Sequence, residues 1–176
     1  DGQPLPEVTH RLKGDLDSDL KRLKEALLEV SPVPVTFQPI EGSANGFYSP
    51  AAEEIVVDST LSEKQSLKTL IHETAHALLH NPEASSSQST RETKEVEAES
   101  VAYVVCQYFG LDTSDYSFGY IAGWSSGKGT PELKASLENI RNASNEIISN
   151  VEQVLTKEET LEQAVSQILP EVHRGR

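Results

Sequence analysis

Residues 72–76 read His-Glu-Thr-Ala-His, and no other stretch narrows the folds open to this chain as much. The two histidines are four apart. On an α-helix that spacing puts both imidazoles on one face, one turn above the other, within reach of a single metal ion. Glu73, beside the first of them, is placed to take a proton from an attacking water. A catalytic zinc takes three protein ligands and keeps one position open, so the chain must also bring a second element, carrying another His, Asp or Glu, to the same point. The plainer reading is two surface histidines on an ordinary amphipathic helix, and the residues that follow weigh against it.

Composition excludes several functions. A chain of 176 residues suits a domain of ordinary size with a real core. The formal net charge of −13 argues against nucleic-acid binding by this segment, because phosphate contacts need clustered Lys and Arg. Short basic stretches such as Arg11 to Lys13 and Lys21 to Lys24 are mixed with acids and read as solvated helix faces. No apolar run approaches a membrane span and no signal peptide opens the chain. The single cysteine, Cys106, excludes an intrachain disulfide and suggests a reducing, cytoplasmic setting; within Val101-Ala102-Tyr103-Val104-Val105 it reads as a small buried hydrophobe. Opening at Asp1 and lacking Met, the chain reads as a segment of a longer product.

The element pattern is mixed. Asp1 to Pro6 is an extended, proline-punctuated arm. Leu16, Leu20, Leu23, Leu27 and Leu28 mark an amphipathic helix that ends near Ser31-Pro32. Val33 to Pro39, Asn45 to Tyr48 and Glu54 to Asp58 predict three strands, read as a meander. Ser62 caps the helix that carries the histidines and stops at Asn81-Pro82. After a serine-rich loop over Glu83 to Thr90, expected to be mobile, a helix runs from about Arg91 to Phe109 with Gly110 at its C′ position. Gly127-Lys128-Gly129 reads as a hinge. A long helix then carries Leu133, Leu137, Ile140, Ile147, Val151 and Leu155 at helical spacing, and a separate last helix is expected over Lys157 to Leu169, before a frayed tail.

The acid-rich start of the 91–109 helix supplies the third ligand. Glu95, Ala98, Glu99 and Ala102 share one face whose alanines permit close approach to the histidine helix. Glu95 is the expected ligand, and Glu99, one turn on, can accept a hydrogen bond from a ligating imidazole. Glu97 lies on a neighbouring face and is the alternative ligand. His80 extends the series, but eight residues along a helix is about 12 Å from His72, too far to share one ion; it reads as a helix C-cap. His10 and His173 are expected at the surface. A second electrophile could come from Tyr48, Tyr103, Tyr116 or Tyr120, among which the sequence does not choose. The strand at Asn45 to Tyr48 could accept an extended peptide along its edge.

The run His72 to His80, followed by Glu95-Val96-Glu97-Ala98-Glu99-Ser100-Val101-Ala102, resembles the zincin-like metallopeptidases of the ImmA/IrrE type. Glu95 to Trp124 and the opening DGQPLPEV look closest to the C-terminal metallopeptidase domain of ArdC-type antirestriction proteins, and the likeness covers roughly residues 1 to 126. The family pattern Glu-x-x-Ala-Asn/Asp-x-Phe-Ala puts its third ligand on Glu95; here Glu99 replaces the usual Asn or Asp and Val101 the usual Phe. The resemblance implies an α+β zincin-like fold, a small three-stranded sheet packed on the motif helix and the glutamate-bearing helix. It divides the chain into a metallopeptidase domain over 1–128 and a helical extension over 129–176. It implies a Zn2+ ion on His72, His76 and Glu95, Glu73 as the catalytic base, and a protein or peptide substrate such as a repressor or regulator linked to a mobile element. In ArdC-type proteins a single-strand DNA-binding domain precedes the peptidase. The rival readings are an antirestriction or regulatory binding module whose effect needs no proteolysis, and a metal-free scaffold.

Overall fold

The structure is a computed structural model and describes residues 16–84, 88–113 and 123–172. The opening arm, His10, the middle of the serine-rich loop, Tyr116, Tyr120 and His173 lie outside the described residues. The architecture is α+β: helix α1 (Leu16–Val30), strands β1 (Val35–Gln38), β2 (Gly46–Ser49) and β3 (Glu54–Asp58), then helices α2 (Glu63–Leu79), α3 (Arg91–Tyr108) and α4 (Thr130–Val172). No described helix is long and apolar enough to cross a membrane.

The strands do not form the expected meander. Their order is β1-β3-β2, with β3 parallel to β1 and antiparallel to β2. Burial explains the arrangement. Ile55, Val56 and Val57 are consecutive and all buried, which suits a strand covered on both faces and flanked on both edges. β1 alternates half-buried and exposed residues, as an edge strand does. β3 therefore takes the centre, and the chain between β1 and β2 crosses from one edge of the sheet to the other.

α2 is the hub of the fold. Its N-cap Ser62 accepts a hydrogen bond from the Gln65 amide, and Leu67, Leu70, Ile71 and Ala75 are fully buried. It packs against α1, α3, α4, β2 and β3. β2 comes so close that a Cβ on Gly46 would lie 2.7 Å from Thr69 Cγ2 and 2.8 Å from the Val56 carbonyl oxygen. α3 is capped by Thr90 and ends as expected at Gly110, whose φ is +74°. There the Leu111 amide bonds Cys106 O and the Gly110 amide bonds Gln107 O, the paired closure that a left-handed C′ residue makes possible. Cys106 is buried.

α4 is one helix of 43 residues, about 65 Å at 1.5 Å per residue. The break expected near Lys157 does not occur, because Lys157-Glu158-Glu159-Thr160 contains neither Gly nor Pro and a helix passes through it without strain. Its packed face keeps most of the expected stripe and departs from it at Leu137. Ser136, Ala143, Ile147, Val151 and Leu155 are buried, whereas Leu137 is exposed. The first half of α4 thus joins the core formed with α1 and α3, while Leu161, Val165, Ile168 and Leu169 stand exposed.

Two stability measurements check this packing. Ile147→Ala should cost about 2–4 kcal/mol in chemical denaturation, against a change within about 0.5 kcal/mol for Leu161→Ala. Gly46→Ala should cost about 1–3 kcal/mol, because neither Thr69 nor the β3 backbone can withdraw without separating β2 from α2.

Candidate metal centre

His72 and His76 emerge from α2 into a cleft of about 880 Å³. Facing them, Glu95 and Glu99 rise from the first half of α3. The close approach rests on small residues: Ala75 of α2 and Ala98 and Ala102 of α3 are fully buried. His72 Nε2 and His76 Nε2 are 3.1 Å apart. Glu95 Oε2 lies 3.4 Å from the first, and Glu95 Oε1 lies 3.3 Å from the second.

These separations suit a metal. Ligand atoms about 2.0–2.1 Å from a tetrahedral zinc lie about 3.3–3.4 Å from one another. Among the described residues, His72, His76 and Glu95 form a cluster whose ligand atoms all fall within 4.8 Å of one another. Two neutral imidazoles and a carboxylate are also the donor set of an open catalytic zinc site. Glu97, the alternative, is not part of this cluster; its side chain faces His80, 2.9 Å away.

The hydrogen bonds behind the cluster orient it. Glu99 Oε2 lies 3.0 Å from His72 Nδ1. A carboxylate only accepts, so Nδ1 donates to Glu99 and Nε2 is the nitrogen turned to the cleft, where a bound metal would take the place of a proton. His76 Nδ1 lies 2.8 Å from His80 Nδ1, and His80 Nε2 lies 2.9 Å from Glu97 Oε2. Glu97 is 1% exposed, and its other oxygen accepts from Ser136 Oγ at 2.8 Å and Asn139 Nδ2 at 3.3 Å, both on α4. His80 is the C-cap residue, as expected, with its backbone amide on the His76 carbonyl, but it is the Asn81 side-chain amide that donates to the Ala77 and Leu78 carbonyl oxygens. With those carbonyls satisfied, the His80 ring turns inward. Sequence reasoning missed this buried series. Its one local signal was the third histidine at the same four-residue interval.

The electrostatics follow from burial and these contacts. Burial alone would lower the pKa of His72, but hydrogen bonds to Glu95 and Glu99 outweigh it and push the pKa up to about 10. The same two histidines hold the Glu95 carboxyl well below the usual carboxylate range. Burial lowers the pKa of His80 against the opposing pull of Glu97. Glu73 is 7% exposed, and burial pushes its carboxyl up, with His72 and His76 opposing. Its carboxylate also accepts a hydrogen bond from the Tyr48 backbone amide, which ties the base to β2. Tyr48 lines the cleft; the Tyr103 hydroxyl accepts from Gln107.

The comparisons with known proteins agree with this geometry. Residues 28–123, more than half of the chain, match the Peptidase_M78 family model, described as the IrrE N-terminal-like domain. Over 121 residues the chain is 32% identical to pXO2-81, an uncharacterized protein of Bacillus anthracis. That match covers 66% of this chain and 20% of the relative, so the chain spans about a fifth of the relative's length. No solved structure matches. Helices α2 and α3 and the sheet all fall inside the matched segment, and the chain belongs to the Peptidase_M78 family of IrrE N-terminal-like domains.

Proposed function

We propose that this chain is a zinc-dependent endopeptidase in which His72, His76 and Glu95 hold the metal and Glu73 is the catalytic base. The observation that carries the reading is the set of 3.1–3.4 Å separations among two imidazole nitrogens and two carboxylate oxygens, with a buried carboxylate next in sequence. When bound, the zinc supplies Lewis acidity that polarises the scissile carbonyl and acidifies water.

The protein's own groups do the rest. Glu73, whose pKa burial raises, takes the proton from the attacking water and returns it to the leaving amine. Glu99 holds His72 with Nε2 toward the metal position. β2 is an edge strand of the sheet and lines the cleft. The Asp58 amide bonds Asn45 O, so in this antiparallel pair Gly46 and Tyr48 direct their backbone groups to the other edge. There the Tyr48 amide serves Glu73, and the Gly46 backbone is positioned to pair with an extended peptide.

The substrate is a protein partner, read as a repressor or regulator linked to a mobile element. This finer reading draws on the ImmA/IrrE likeness of the motif helices and on the likeness of roughly residues 1–126 to ArdC-type domains.

The test compares wild type with Glu73→Gln. The variant should retain about one equivalent of zinc while kcat/KM on a cleaved repressor or unfolded protein falls by about 10²–10⁴. Equal cleavage by both proteins would refute the mechanism. An unchanged biological effect without any cleavage by either would favour the binding-module reading.

A further inference from the structure

Behind His76 lies a buried polar series that the hydrolytic chemistry does not itself require. His80 and Glu97 have side chains only 3% and 1% exposed, and Ser136 of α4 is 5% exposed. Such burial is costly unless every group is partnered, and here the partners form a directed chain. Glu97 can only accept, so its bond to His80 puts the proton on His80 Nε2. The neutral ring then has an acceptor at Nδ1, which faces His76 Nδ1 at 2.8 Å. His76 must donate there, which makes Nε2, 3.1 Å from His72 Nε2, the nitrogen it offers to the metal position.

We propose that His80 is a positioning residue for the metal centre, fixing the tautomer and orientation of His76, and that Glu97 with Ser136 and Asn139 makes α4 part of that support. The proposal rests on the metal site described above. His72 is oriented by a single carboxylate, Glu99, which is partly exposed. His76 is oriented by a neutral imidazole whose own tautomer is set by a buried carboxylate of α3, itself bonded directly to Ser136 and Asn139 of α4. Ser136 and Asn139 lie beyond the segment matched to the family, so α4 reaches the site from outside it. The series ends at His76 Nε2, which faces Glu95 Oε1 at 3.3 Å.

The experiment measures zinc affinity of the full chain by competition with a chromophoric chelator. His80→Phe should weaken zinc binding about 10–100-fold, the usual effect of removing a ligand's outer hydrogen-bond partner. His80→Asn, whose side-chain oxygen can still accept from His76 Nδ1, should recover most of that loss. Ser136→Ala should weaken binding by less than His80→Phe. Affinity within twofold of wild type for His80→Phe would overturn the proposal. Should that variant not fold, long-range 1H–15N spectra of zinc-loaded wild type decide the matter. The Nε2–H tautomer of His80 with the Nδ1–H tautomer of His76 supports it, and the opposite pair overturns it. Wild type that binds no zinc would instead refute the metal site on which the proposal rests.

Discussion

The close packing of α2 on α3 is the constraint on which the rest of this molecule depends. Carboxylates on one helix reach imidazoles on the other at 2.9–3.4 Å, with Ala75, Ala98 and Ala102 fully buried on the two helices. A larger residue at Ala98 or Ala102 would separate Glu95 from the histidines before it affected either helix by itself. The remaining elements hold that pair in place. β2 seats Gly46 against α2 and lends an amide to Glu73, and the first half of α4 buries its apolar face beside α3.

The site has two differently built sides. Toward the cleft, Glu95 is half-exposed and accessible to a substrate. Away from it, Glu97 is sealed in the interior, bonded to His80 on one side and to Ser136 and Asn139 of α4 on the other. Burying a carboxylate and an imidazole together stabilises a fold only when both are fully hydrogen-bonded, so this region tolerates little change. That asymmetry separates the mobile needs of substrate entry from the rigidity a metal centre requires.

Local periodicity made the motif helix, the Glu95–Ala98–Glu99–Ala102 face and the Gly110 closure legible from sequence alone, because each depends on residues within a turn or two. Sheet order depends on distant partners. The sequential order of the strands suggests a meander ending in Glu54 to Asp58, whereas the three consecutive apolar residues of that strand favour the central position it takes. The continuity of α4 was hidden by a charged stretch that looks like a boundary yet contains no helix breaker. The inward turn of His80 depended on the Asn81 side chain bonding the Ala77 and Leu78 carbonyls and on Glu97 waiting across the helix interface. Neither is visible from the spacing of the histidines.

Membership of the Peptidase_M78 family and a cluster able to hold a metal ion support the proposed hydrolytic centre, and the ligand set is the central claim. The measurement that tests it most directly is zinc K-edge X-ray absorption on the zinc-loaded protein, paired with the same spectrum of Glu95→Ala. The account predicts two imidazole nitrogens at about 2.0–2.1 Å with oxygen donors and no sulfur, and a changed oxygen shell in the variant. Three imidazoles, a sulfur ligand or a spectrum indifferent to Glu95 would contradict it.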